Sequence, residues 1–93
     1  MTLLLKDPQA ALDYSVDWGR DYLDGDALAA SDWSVVPVEP GGVAVVASRF
    51  DLRIATVEVS GGVAGTLYRL TNHVVTASGH EDRRSIMLRV EPR

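Results

Sequence analysis

Residues Val57–Thr76, VEVSGGVAGTLYRLTNHVVT, limit what this chain can fold into more than any other stretch. Before a glycine-rich corner, Ala55, Val57 and Val59 alternate with Thr56 and Glu58; after it, Tyr68, Leu70, Asn72 and Val74 share one parity. Successive side chains of a strand point to opposite faces, so each run can turn one face to a core. The corner, Ser60–Gly65, holds three glycines, which accept backbone angles that a β-carbon forbids. Two half-buried strands joined by such a bend commit the chain to sheets that must find a packing partner.

The remaining segments supply that partner. Leu3–Lys6 is a short apolar run closed by Asp7-Pro8, which predicts an edge strand, because proline lacks the N–H a ladder needs. Gln9–Ala11 is a helical turn or a linker. In Leu12–Trp18 the apolar Leu12, Tyr14, Val16 and Trp18 face one way, and Asp13, Ser15 and Asp17 the other, the cleanest half-buried strand in the sequence. Gly19–Asp26 is a loop with Tyr22 and Leu23 as anchors beneath it. Leu28–Val36 is expected to be one strand with a bulge near Ser31–Asp32, where the parity slips, and with Trp33 and Val35 on one side. Pro37 and Pro40-Gly41-Gly42 end it. Val43–Ala47 is a short strand, Ser48–Asp51 a turn and Leu52–Val59 a strand entering the corner. Thr66–Thr76 is the long strand after it, and Ala77–His80 turns on Gly79. Arg84–Glu91 closes the set, with Ile86, Leu88 and Val90 inward and Met87 and Arg89 outward.

Turn signals at intervals of about 8–12 residues are those of a sandwich. Tyr68, near the start of its strand, stands where immunoglobulin-like sandwiches hold a corner tyrosine, its ring inside and its hydroxyl bonded to backbone just upstream. The expected fold is all-β: an immunoglobulin-like antiparallel β-sandwich of about seven strands, with residues 1–93 as a single domain. Thr66–Thr76 and Arg84–Glu91 should form the strongest hairpin, with Leu12–Trp18 across the core from it or beside it.

Composition narrows function by exclusion. The absence of cysteine excludes disulfides and thiolate metal sites, so stability must come from packing or from neighbours. A net charge of −4 argues against a nucleic-acid surface, which needs concentrated positive charge. The charge is uneven: through Trp33 there are seven acids against Lys6 and Arg20, which predicts one acidic region, read as solvated loop before basic-partner dock. No run approaches the ~20 apolar residues of a membrane span. The short apolar start, without a basic leader, is not expected to be a secretory signal, and the chain is expected to be used where it is made.

No motif specifies a reaction. The acidic loop Asp21–Asp26 has oxygen ligands suited to calcium but not the spacing of a twelve-residue calcium loop, and is expected to be a solvated turn. His73, in a strand, and His80, in a turn, lack supporting ligands and are expected at the surface. Ser60 has no nucleophile elbow, and Gly61–Gly65 lacks the lysine and helix of a phosphate loop. Trp18 and Trp33 each fall on the apolar parity of a strand, so they are expected in the core rather than on a sugar-stacking platform. Glu81-Asp82-Arg83-Arg84 is expected to be a charge-balanced hairpin tip. No catalytic, cofactor-binding or metal residue is assigned.

With this pattern in place, DYSVDW (Asp13–Trp18), YLDGDALAASDW (Tyr22–Trp33), VSGGVAGTLYRLTNHVVTASGHEDRRS (Val59–Ser85) and LRV (Leu88–Val90) together resemble a family of small tailed-phage and prophage proteins, the fibre–tail adaptors. The resemblance covers most of the sequence; its GGxxGxxY segment with the TxxG turn also occurs in phage immunoglobulin-like domains fused to other virion proteins, and Val43–Ile54 adds nothing to it. The resemblance implies a non-enzymatic virion protein, made in the host cytoplasm, linking tail or head–tail components to fibres. Its implied partners are other virion proteins, tail, connector or fibre, with multiple copies in a symmetric assembly and neither nucleic acid nor membrane. The alternative is a capsid-decorating or carbohydrate-binding module of the same fold.

Overall fold

The alternating runs become strands because each has a neighbour that buries its apolar parity. A computed structural model describes residues 2–19 and 23–92, and the described residues form seven strands and no helix. These are β1 (Thr2–Lys6), β2 (Leu12–Asp17), β3 (Leu28–Val36), β4 (Ala44–Phe50), β5 (Ile54–Ser60), β6 (Leu67–Thr76) and β7 (Glu81–Val90). They make a four-stranded sheet of order β1-β7-β6-β3 and a three-stranded sheet of order β2-β5-β4. The orders 2-5-4 and 7-6-3 are those of strands B-E-D and G-F-C in the immunoglobulin sandwich. β2 lies in the sheet opposite the β6–β7 hairpin, one of the two placements expected for it.

The inward parities of the two sheets meet in two adjoining clusters. One, at the glycine-corner end, joins Val57 and Val59 of β5 to Tyr68 and Leu70 of β6 and Leu88 and Val90 of β7, with Val43. The other holds Val16, Trp18, Leu23, Leu28, Ala55 and Val74. Trp33 and Ile86 pack against both and make the core continuous. Leu23 anchors its loop as expected; Asp21 and Tyr22 lie outside the described residues.

Four expectations need correction. The sandwich is not wholly antiparallel, because β1 runs parallel to β7, from Thr2 opposite Ile86 to Lys6 opposite Val90. These strands lie near opposite ends of the chain, so no hairpin turn forces them antiparallel. The bulge in β3 falls between Leu28 and Ala30, before Ser31–Asp32. β4 does not stop at Ala47: Ser48, Arg49 and Phe50 pair with Val57, Thr56 and Ala55, and a second irregularity between Val45 and Ala47 resets the alternation. The turn therefore falls at residues 51–53, where the Asp51 carboxylate accepts from the N–H groups of Arg53 (2.8 Å) and Ile54 (2.7 Å). Finally, β7 starts at Glu81 rather than Arg84. Gly79, at φ +93°, closes the turn so tightly that Thr76 N–H already donates to His80 C=O at 2.8 Å.

Candidate interaction surface

The glycine corner is held from inside. Gly61, Gly62 and Gly65 have φ of +78°, +121° and +86°. Tyr68 is fully buried; its hydroxyl accepts from Val63 N–H at 3.0 Å and donates to Glu39 Oε1 at 2.6 Å. This is the expected corner geometry, with Glu39 as an added partner. Burial, and then the Glu39 carboxylate, push the phenol pKa up. Lys6 is also fully buried, and its Nζ donates to the carbonyls of Gly61 (2.6 Å), Ala10 (2.6 Å) and Asp7 (3.0 Å). One ammonium thus ties the end of β1, the following turn and the corner together. Desolvation lowers its pKa, against the pull of Asp7. Lys6 shares the inward face of Leu4, so parity could signal its burial, although not its partners.

Trp18 is fully buried, and its Nε1–H donates to Asn72 Oδ1 at 2.8 Å. Asn72 in turn donates to Ser31 Oγ (2.9 Å) and to the Asp32 carbonyl (3.0 Å). Trp33 is partly buried between the two clusters. Both tryptophans therefore serve the core, and a sugar-stacking platform loses its best residues.

What remains for partners is the outside of the sheets. On the four-stranded sheet, Leu3 lies opposite Met87, Met87 opposite Arg69, Arg69 opposite Val36, and Leu67 opposite Arg89. Cross-strand pairs share a face, so Leu3, Leu5, Leu67 and Val36, each about half exposed, form an outward apolar set, with Arg89 between Leu5 and Leu67 and Arg69 between Met87 and Val36.

The other half of that face is polar. His73 Nδ1 lies 3.0 Å from Asp32 Oδ2 and Nε2 lies 2.8 Å from Glu81 Oε1, bridging β3, β6 and β7. The two carboxylates raise its pKa, Asp32 foremost. His73 lies on the outer face, as expected of it, and the fold adds two carboxylate partners that its position in the strand did not indicate. Asp32 is 41 residues away in sequence, and only the register of β3 on β6 places it beside His73. Glu81 belongs to this group, while Asp82 accepts from Arg83 N–H at 2.7 Å and Arg84 lies over the Trp18 ring, 4.5 Å from its centroid.

The described acids of the first third do not gather into one region. Asp13 and Asp17 take the outward parity of β2 on one sheet, and Asp32 sits on the outside of the other. β2 and β3 belong to different sheets, so sequence proximity is lost. In the loop, the Asp26 carboxylate accepts from the Ser78 hydroxyl and from Ala27 N–H (2.8 Å), which lowers its pKa to about 2, Ser78 foremost. His80 is well exposed, with Nδ1 3.9 Å from Asp26 Oδ2. Among the described residues no three acids or histidines are placed to hold a metal ion.

No curated protein matches the chain. A family model does: the one described as "Podophage GP4 fiber-tail adaptor protein gp77" matches residues 6–89. The match runs from the buried lysine that ends β1, through the corner and both tryptophans, almost to the end of β7. With β2 to β6 and nearly all of β7 so covered, the chain belongs to the podophage GP4 fiber-tail adaptor family.

Proposed function

We propose that this adaptor is a non-enzymatic peg that works in several equivalent copies, and that the outward apolar set of the four-stranded sheet is where a neighbouring virion protein seats. The supporting observation is that set itself. Leu3, Leu5, Leu67 and Val36 face solvent beside Arg69 and Arg89, although the inward parity of the same strands already fills the core. Exposed apolar side chains gathered on one face of a small folded chain are a mark of an interaction site. Closed symmetric sets of copies are the common form of protein assembly.

The test is reconstitution. Tails purified from particles lacking this chain are incubated with the wild-type chain or with a Leu3→Glu/Leu5→Glu variant, and fibres are then added. The wild type restores fibre attachment, and native mass measurement of the tail gives an integral copy number above one. The variant keeps the β-rich circular dichroism spectrum and fails to restore fibres. Equal attachment by the two would remove the apolar set from the interface.

A further inference from the structure

β1 covers only part of β7. It pairs with Ile86–Val90, and among the described residues Glu81–Ser85 is bordered by β6 alone. The ends of the hairpin fix which backbone groups face that open edge. Thr76 N–H donates to His80 C=O at 2.8 Å, and Val90 N–H to Thr66 C=O at 3.1 Å. Even-numbered residues of β7 therefore exchange bonds with β6, and odd-numbered ones aim N–H and C=O at the far side. Glu91 N–H, which donates to Lys6 C=O at 2.9 Å, keeps this phase. So does Arg83, whose N–H is satisfied by the carboxylate of Asp82 and not by a strand.

Beneath the edge a cleft of about 320 Å³ opens between the sheets, floored by Leu4, Tyr14, Val16 and Ile86. The Tyr14 hydroxyl is buried and has no hydrogen-bond partner among the described residues. Arg84 stands at the mouth, and neither it nor Arg83 forms an ion pair among the described residues.

We propose that this edge takes an extended segment of a neighbouring virion protein as an added strand along Glu81–Ser85, end to end with β1. The segment carries acidic side chains beside Arg83 and Arg84 and one inward polar group that bonds the Tyr14 hydroxyl. Backbone groups that face away from β6 without a strand partner can pair with another backbone, once the Asp82 carboxylate releases the Arg83 N–H, and in strand addition main-chain bonds give affinity while pockets for alternate side chains give specificity. Two guanidinium groups without an ion pair among the described residues, one of them stacked on Trp18, favour negative charge in the added segment. The cleft is at the lower end of ligand-sized pockets, ~300–1,000 Å³, which suits a side chain better than a free small molecule. This inference rests on the adaptor reading.

Arg83→Pro tests it, because proline removes an edge N–H that β6 does not use. The free variant should keep its circular dichroism spectrum and unfold within a few degrees of wild type. Tyr14→Phe removes an unpartnered hydroxyl, so the free chain should be as stable or more so. The probe is the tail purified from particles lacking the chain. Arg83→Pro, an Arg83→Glu/Arg84→Glu pair and Tyr14→Phe should each lower retention on it, the first two by about tenfold or more, the loss expected for one or two interfacial hydrogen bonds to charged groups. Hydrogen exchange at the Arg83 and Ser85 amides should slow on assembly. A folded Arg83→Pro chain that binds like wild type, or edge amides that exchange equally fast in the free and bound states, overturns the strand-addition site and leaves the adaptor reading standing. If the wild-type chain itself does not bind tails, both readings fall.

Discussion

Two tyrosines of one core differ in what their hydroxyls do. Tyr68 Oη joins Val63 N–H to Glu39, so Tyr68→Phe should lower stability by about 1–2 kcal/mol by orphaning a backbone donor at the corner. Trp18→Ala removes a fully buried ring and the donor to Asn72, and should lower it by ~3–5 kcal/mol, a large share of what a small domain has. Urea titration of each variant beside wild type measures both losses. His73 gives the chain a pH dependence. Its folded pKa lies above the ordinary 6.5, so the folded state favours the imidazolium. That contribution is fully present below about pH 6.5 and is lost as pH rises through the higher folded value. Unfolding midpoints should therefore fall as pH rises through this window, more steeply at low salt because the group lies near the surface. His73→Gln should flatten this part of the profile, and an unchanged slope would show that the two carboxylates do not act on the ring.

At the scale of elements, the corner makes the sharpest test, because its glycines are needed for different reasons. A β-carbon on Gly62 would lie 2.7 Å from Val90 Cγ2 and 3.2 Å from Val43 Cγ2, at φ +121°. Gly65 shares a positive φ but has nothing within 4 Å. Gly62→Ala should then destabilise by roughly 2–4 kcal/mol, from overpacking added to strain, and Gly65→Ala by about 1–2 kcal/mol, from backbone strain alone. Equal effects on the urea midpoint would mean that the Gly62 contact relaxes freely. The corner, β2 and β6 were legible in the sequence because alternation and glycine are local signals. β4 was misjudged because its Ser48-Arg49-Phe50 stretch is an edge with little to bury, and a bulge breaks its parity. The parallel placement of β1, the anchorage of Lys6 and the carboxylates on His73 were not legible. Each depends on which strand lies beside which, and a period of two carries no such information.

Across the whole molecule, the same sheet order that makes a long peg, 41 × 20 × 18 Å, also grades its firmness. β5, β6 and β7 have neighbours on both sides, and Ala55, Val57, Val59, Tyr68, Leu70 and Val74 are fully buried along the first two. β1 has one neighbour, and its outward Leu3 and Leu5 are about half exposed. Local opening follows the number of buried apolar contacts and of strand partners that must be given up. Amide exchange of the free chain should accordingly be slowest in β5 and β6, approaching the rate set by global unfolding, and fast in the edge strands β1 and β4. If a neighbour seats on β1, as proposed, this division lets the centre keep its shape while the rim yields. If β1 amides exchange as slowly as those of β5 in the free chain, the rim is already as firm as the centre, and docking must then proceed by rigid faces, with no part for a yielding edge.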